Sequence, residues 1–308
     1  MKIFFNRYPR VEPYGGGNQF LQRMTAVLIE RGHHIVYHME EGIDVIFMMD
    51  PRPGDHGYSL QYVAAYKHHF PQTKILHRVN ECDARKGTDD IDKLLLTAMN
   101  MSDEVVFISQ WLKDYFFNLG FVGKSNIIYN GCDTNYFYPE SRVLAQKPRL
   151  VTHHWSDNWM KGFDLYTQID KYLIDNPNAD FDFTYVGRYY KGYVPQKTTV
   201  ISPLHGKELG DELRTHDIYV TASRWEPCGM HHIEGAACGM PTLYHAEGGG
   251  ITELCQNHGI EFTTFDEFLE SLNTVITSYD DYIKMINLDN LSIDLCVGKF
   301  YDLIESMA

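Results

Sequence analysis

The chain has 308 residues, 44% hydrophobic and 22% charged, which is enough for two domain-sized cores and excludes a disordered chain. A formal net charge of -14 argues against a nucleic-acid partner, because such binding neutralises phosphates with lysine and arginine. No apolar run reaches the length that spans a bilayer, and Met1-Lys-Ile-Phe-Phe-Asn6 reads as a first strand, not a signal peptide.

In chain order, short β-rich runs predict strands over 3–5, 34–38, 44–49, 74–77, 104–108 and 126–129. Helical patterns over 17–31, 59–69, 90–100 and 110–119 separate them. A second series predicts strands over 149–153, 182–186, 199–202, 217–221, 242–244 and 260–262, with helices over 162–173, 206–214, 230–238 and 251–258. Such alternation predicts an α/β protein with parallel sheets covered by helices. The polar stretch 139–148, bracketed by Pro139 and Pro148, reads as a linker between a first domain over 1–140 and a second over 149–289. The helical pattern over 283–307 predicts a last helix, taken as 290–308, that rejoins the first domain. The six cysteines form no C-x-x-C pair and suit a reducing, cytoplasmic setting. The aromatics of 110–119 leave open a peripheral membrane contact beside their ordinary reading as a core face.

The most informative stretch is Ser223-Arg-Trp-Glu-Pro-Cys-Gly-Met-His-His-Ile-Glu-Gly-Ala-Ala-Cys-Gly-Met-Pro241. Pro227 and Gly229 predict a helix beginning near Met230, with Glu226 in the loop ahead of it and Glu234 just over one turn inside. Two carboxylates flanking a helix N-terminus suit a ligand that joins a phosphate to hydroxyl-bearing rings. Their ordinary reading is a capping glutamate and a surface glutamate. Tyr14-Gly-Gly-Gly-Asn18 precedes another helix; it lacks G-x-G-x-x-G and reads equally as a tight turn or a phosphate loop. Lys161 and Arg188 follow predicted strands and offer cations, or ordinary surface charge. His77 closes an apolar strand, where a core histidine is the default. The adjacent histidine pairs, His153-His154 among them, are poor chelators because neighbours on a strand point apart. Asp180-Phe-Asp182 spells a metal-binding D-x-D but opens a strand, and is read as coincidence.

These residues in this order resemble the retaining GT-B glycosyltransferases, especially family four. Glu226 and Glu234 match the E-x7-E signature. Gly15-Gly-Gly17 with Leu28-Ile-Glu-Arg-Gly-His33, Tyr129-Asn-Gly-Cys-Asp133, Lys161-Gly162 and Gly248-Gly-Gly-Ile-Thr-Glu253 resemble further family motifs. The resemblance implies a GT-B fold, two Rossmann-like domains with parallel sheets facing a cleft. It also implies a UDP- or GDP-sugar donor, transfer with retention, and no metal or other cofactor. In that frame Glu226 contacts donor sugar hydroxyls and Glu234 the ribose. Cys228, Gly229 and Met230 lie at the diphosphate, and Lys161 is its cation. Gly16 and Gly17 close on the donor, and His77 lies near the transferred sugar. The acceptor, whether glycan, lipid or protein, is not implied.

Two positions depart from the family pattern. Ser156 stands where an arginine is usual, five residues before Lys161, so either Arg188 or Arg224 supplies the second charge or the leaving group is stabilised less. Gly235 replaces a usual alanine after Glu234. A GT-B phosphorylase or epimerase shares the architecture, and a non-catalytic sugar-nucleotide-binding protein is the rival of another class. The missing dinucleotide fingerprint disfavours a dehydrogenase.

Overall fold

A computed structural model of the chain describes residues 1–10, 15–54 and 57–307. The chain divides into two compact units. Unit 1, Met1–Asn130 with Ile293–Ala308, runs β1 (Lys2–Phe5), α1 (Gly15–Glu30), β2 (His34–Val36), β3 (Val45–Met48), α2 (Leu60–His69), β4 (Lys74–Val79), α3 (Asp83–Lys86), α4 (Ile91–Asn100), β5 (Glu104–Phe107), α5 (Gln110–Asn118) and β6 (Ser125–Ile127). Unit 2, Gly131–Ser292, runs β7 (Arg149–His154), α6 (Phe163–Asp175), β8 (Asp182–Gly187), β9 (Thr199–Ile201), α7 (Gly206–Arg214), β10 (Ile218–Thr221), α8 (Met230–Ala237), β11 (Thr242–His245), α9 (Gly250–Cys255), β12 (Gly259–Phe262), α10 (Phe265–Thr277) and α11 (Tyr279–Lys284). The chain then returns to unit 1 as α12 (Ile293–Glu305).

Among the described residues each unit holds one six-stranded parallel sheet, ordered β2-β1-β3-β4-β5-β6 and β12-β11-β10-β7-β8-β9. The expected α/β architecture of two helix-covered parallel sheets is therefore present. The inner strands β3, β5, β10 and β11 are buried along their whole length, as expected where helices cover both faces of a sheet. In β1, Ile3 and Phe5 enter the core that also holds Phe20, Met24 and Phe300, while Phe4 enters the opposite core with Ile46 and Val63. Arg78 explains why β4 outruns the predicted strand. It is a buried arginine whose guanidinium lies 4.3 Å from the Phe20 ring centroid and donates to Asn130 Oδ1 at 2.7 Å.

Three sequence expectations need correction. The stretch 139–148 is no free linker, because the residues from Gly131 onward pack on unit 2. Arg214 donates to Tyr136 O at 2.7 Å and stacks 4.0 Å from the Tyr138 ring centroid, and Arg142 donates to Cys238 O at 3.0 Å. The units therefore divide at Asn130, ten residues before the expected end of the first domain. The pattern over 283–307 is not one helix. α11 stops at Lys284, a 3₁₀ turn spans Leu288–Leu291, and α12 starts at Ile293. Leu291 O is taken by Cys132 N at 2.7 Å, which ties this turn to the chain leaving unit 1 and breaks the helix. Finally, α10 went unread although Thr264-Phe-Asp-Glu267 forms a complete capping box, a signal present in the sequence.

Gly210 marks the tightest point beneath residues 131–148, since a β-carbon there would sit 2.2 Å from Tyr136 O. Gly210→Ala is expected to cost about 1–3 kcal/mol through overpacking. It should speed tryptic cleavage at Arg142, read by limited proteolysis beside urea unfolding; an unchanged cleavage rate would contradict the packed-segment reading.

Candidate active site

In unit 2 the strand order reverses at β7, with β8 and β9 on one side and β10 to β12 on the other. Loops leaving the carboxyl ends of strands at such a reversal diverge to opposite faces and leave a crevice for ligand. Two loops open there. One leaves β7 through a 3₁₀ turn, Trp159–Lys161, into Gly162 and α6. The other leaves β10 through Ser223 to Gly229 into α8.

Close backbone contact fixes these loops. Gly162 has a φ of 95°, and a β-carbon on it would sit 2.3 Å from the Ala222 β-carbon. Only glycine allows that approach. Arg224 N donates to Met160 O at 2.9 Å, joining the two loops. Trp225 N donates to Glu247 O at 2.7 Å, and Gly250 N to Glu226 O at 2.9 Å, joining the second loop to the glycine turn after β11. Between these anchors Trp225 holds a φ of 50°, alone among the described non-glycine residues in being positive. Such a conformation is unfavourable for a bulky side chain and persists because its flanks are pinned.

The result is an ion pair. Lys161 Nζ meets Glu226 Oε2, and each side chain is 9% exposed. The two residues, given separate roles from sequence, are partners. Glu234 lies one turn into α8 and is buried as well, its Oε2 2.7 Å from His153 Nε2. Gly229 caps α8 without a side chain, so the first-turn N–H groups from Met230 onward lack a side-chain cap. A β-carbon at Gly229 would lie 2.5 Å from the His231 ring and 3.0 Å from Glu226 Cγ. Cys228, beside it, is buried. Burial lowers the pKa of His231 far below its usual value, reinforced by His154 and Lys161, and burial pushes His232 down to about 3. These rings beneath the helix start are neutral, so Lys161 carries the positive charge there.

Arg188 follows β8, and its backbone N–H donates to His154 O at 3.1 Å. Its exposed guanidinium lies 4.1 Å from the Trp155 ring centroid, and no carboxylate among the described residues pairs with it. Arg224, in contrast, serves two carboxylates, Asp164 and, at 3.4 Å, Glu247. Asp182 of the D-x-D pairs with Lys147 at 2.7 Å, at the amino end of β8 and so on the far edge of the sheet from the crevice.

Gly16, Gly17 and His77 belong to unit 1. Gly16 and Gly17 form the first turn of α1 where the sequence suggested a loop before it; Tyr14 lies outside the described residues. A β-carbon at Gly17 would make only ordinary contact, 3.9 Å from Asn80 Nδ2. His77 lies in β4 with no exposed surface, neither ring nitrogen has a hydrogen-bond partner among the described residues, and burial pushes its pKa down to about 3. It is a neutral buried imidazole.

Sequence reasoning missed His153, Tyr219 and Trp155. The pair His153-His154 was noticed but weighed only as a chelator. The two rings do point apart, His153 to Glu234 and His154 Nε2 to Tyr166 OH at 2.9 Å. Their place at the carboxyl end of a strand was the signal that could have found them.

Residues 189–287 match the family model for glycosyl transferases group 1. A stretch of 144 residues is 26% identical to mannosylfructose-phosphate synthase of Agrobacterium fabrum (strain C58 / ATCC 33970), covering 39% of this chain. The chain thus spans about a third (32%) of the length of that curated relative. Among solved structures, sucrose-phosphate synthase of Thermosynechococcus elongatus is similar over 100% of this chain and 99% of its own, with a TM-score of 0.72 at 13% identity. Anabaena HepE in complex with UDP-glucose is similar over 99% of both chains, with a TM-score of 0.71 at 14% identity. WaaG, a glycosyltransferase involved in lipopolysaccharide biosynthesis, is similar over 99% of both, with a TM-score of 0.70 at 14% identity. The two parallel-sheet units and these likenesses make the fold GT-B.

Removing one member of a buried ion pair strands the other charge, so Lys161→Ala is expected to cost about 3–5 kcal/mol in urea unfolding. Lys161→Met combined with Glu226→Gln should recover most of it; a double variant no better than Lys161→Ala would show that the pair is not the cause. Acid exposes a second dependence. Unfolded histidines titrate near pH 6.5, while His77 and His232 titrate near 3 and His258 near 4 when folded. Between those values the unfolded chain binds protons that the folded chain refuses, so stability falls as pH drops from 6.5 towards 4. Each such group accounts for about 2 kcal/mol by pH 5. His77→Leu should reduce the loss between pH 7.5 and 5 by that amount, and an unchanged loss would mean that folded His77 already takes up a proton.

Proposed function

We propose that this GT-B glycosyltransferase moves a sugar from a nucleotide-sugar donor to an acceptor hydroxyl, with retention at the anomeric carbon and without a metal. One observation carries the reading. The buried pair of Lys161 and Glu226 borders the side-chain-free start of α8, and a second buried carboxylate, Glu234, stands one turn further on. A diphosphate at that helix start meets uncapped N–H groups and the positive end of the helix dipole. Glu226 is then the acceptor for sugar hydroxyls and Glu234 for the ribose, with Cys228, Gly229 and Met230 supplying the backbone between. The segment that matches glycosyl transferases group 1, residues 189–287, contains all of these except Lys161. A bound UDP-glucose in Anabaena HepE supports a donor of the same class, here a UDP- or GDP-sugar.

Lys161 is the principal cation for the departing diphosphate. Arg188 takes the part of the arginine missing at Ser156, because it stands beside β7 with no carboxylate to serve, while Arg224 is held by two. Fixed cations and N–H dipoles aimed at developing negative charge are the largest expected term in the rate, and they stand where a metal would otherwise be needed. In the step itself the acceptor oxygen bonds to the anomeric carbon on the face from which the phosphate oxygen leaves. That phosphate oxygen takes the acceptor's proton, so no protein nucleophile is required.

A thermal-shift screen over UDP-, GDP-, ADP- and CMP-sugars should show one donor class stabilising the protein, by about 2.7 kcal/mol at a hundredfold excess over Kd. Glu226→Gln should lower turnover about 10²-fold or more per folded molecule, with the folded fraction fixed by urea unfolding because this variant strands the buried Lys161 charge. The product should keep the donor's anomeric configuration by proton NMR, and EDTA should leave the rate unchanged. No shift with any donor would end the proposal, an inverted product would end retention, and loss of rate in EDTA would end metal independence.

A further inference from the structure

Glu234 is an unusual place to keep a carboxylate. It is 4% exposed, on a helix whose neighbours are buried on every side. A side chain this enclosed needs a hydrogen-bond donor, and His153 Nε2 provides one at 2.7 Å. Which nitrogen carries the proton follows from the other end of the ring. Tyr219 OH lies 3.1 Å from His153 Nδ1, and the same oxygen accepts from His153 N at 3.3 Å. With its oxygen accepting from the backbone, the hydroxyl directs its own proton to Nδ1. That leaves the imidazole proton on Nε2, aimed at Glu234. Burial raises the pKa of Tyr219 well above its ordinary value, so the hydroxyl stays a donor.

The arrangement depends on the glycine that follows Glu234 in α8. The Tyr219 ring occupies the space where a side chain at position 235 would begin, and a β-carbon on Gly235 would lie 2.4 Å from Tyr219 Cδ2. An alanine, usual in the family at this position, and a tyrosine at 219 cannot both be accommodated without a shift. Gly235 and Tyr219 are therefore one feature, and the departure seen in the sequence has a purpose that the sequence does not show.

We infer that His153 is a positioning residue, set by Tyr219 in the space left by Gly235, which holds the Glu234 carboxylate in the one orientation that accepts from a vicinal diol, the ribose of the bound nucleotide. The inference rests on the donor-site reading given above. His153 engages one carboxylate oxygen and leaves the other for the ligand. A carboxylate free to rotate would lose ordering entropy on each binding event, and one already fixed does not.

The test compares nucleotides with and without the diol. Affinities of UDP and GDP, each beside its 2′-deoxy counterpart, are measured by calorimetry on the whole chain. The wild-type protein should bind one ribonucleotide about tenfold or more tightly than its deoxy form. His153→Ala should abolish that ratio by weakening the ribonucleotide alone. His153→Gln, whose amide N–H reaches close to the position of Nε2, should restore most of it. Tyr219→Phe, which keeps the ring and loses the hydroxyl, should reduce the ratio without removing it. With donor sugar, His153→Ala should raise KM more than it lowers kcat. Gly235→Ala should be destabilised; Gly235→Ala with Tyr219→Leu should recover stability but not the ribose preference. If His153→Ala keeps the full ratio, or His153→Gln is no better than His153→Ala, this inference falls while the donor reading stands. If neither UDP nor GDP binds the wild-type protein, the donor reading falls and takes this one with it.

Discussion

Lys161 and Glu226 are buried against each other, and neither charge could stay in that place alone. Much of the architecture of unit 2 serves that pairing. The lysine comes from the loop after β7 and the glutamate from the loop after β10, neighbouring strands at the reversal of a parallel sheet. Gly162 lets the first loop touch the second, and the bonds to Gly250 and Glu247 stop the second from relaxing outward. A buried ion pair adds little to stability compared with an apolar pair of the same shape. In the function proposed above, its use is to keep a cation and a carboxylate in fixed positions beside the ligand.

The two glutamates of the site are buried by different means. Glu226 is neutralised by a lysine, an interaction that a diphosphate bound as proposed would compete for directly. Glu234 is held by the His153 ring at 2.7 Å, which in the proposed function leaves the second carboxylate oxygen for hydroxyl groups. The contrast suits a ligand with an anionic centre between two polyhydroxylated rings, where one carboxylate must tolerate a nearby phosphate and the other need not. Glu226 also depends on α8 beginning at a glycine, because a side chain there would strike the His231 ring and crowd Glu226.

Much of the layout could be read before any coordinates. Short apolar runs located the strands and period-3.6 patterning most of the covering helices, because a parallel sheet buried on both faces leaves apolar runs that loops do not imitate. Glu226, Gly229, Met230 and Glu234 were legible for a local reason: Pro227 and Gly229 mark a helix start, and spacing along the chain then gives spacing in space. The failures were also physical. Arg78 and Asn130 disguised the true extents of β4 and of unit 1, since a charged residue looks exposed until its partner is known. The segment over 139–148 looked like a linker because its polarity shows, while the Arg214 contacts that bind it do not.

By itself the sequence determined the periodic elements, their α/β order and the stretch that carries the site, since each depends on residues close together along the chain. Only the tertiary structure decided which groups meet. It paired Lys161 with Glu226, 65 positions apart, and His153 with Glu234, 81 apart. It assigned Arg224 to Asp164 and Glu247, and it showed Gly235 as the space for a tyrosine on a neighbouring strand. Strand order in a parallel sheet brings such residues together, and that order is set by packing over the whole unit, of which no short stretch of sequence holds a copy.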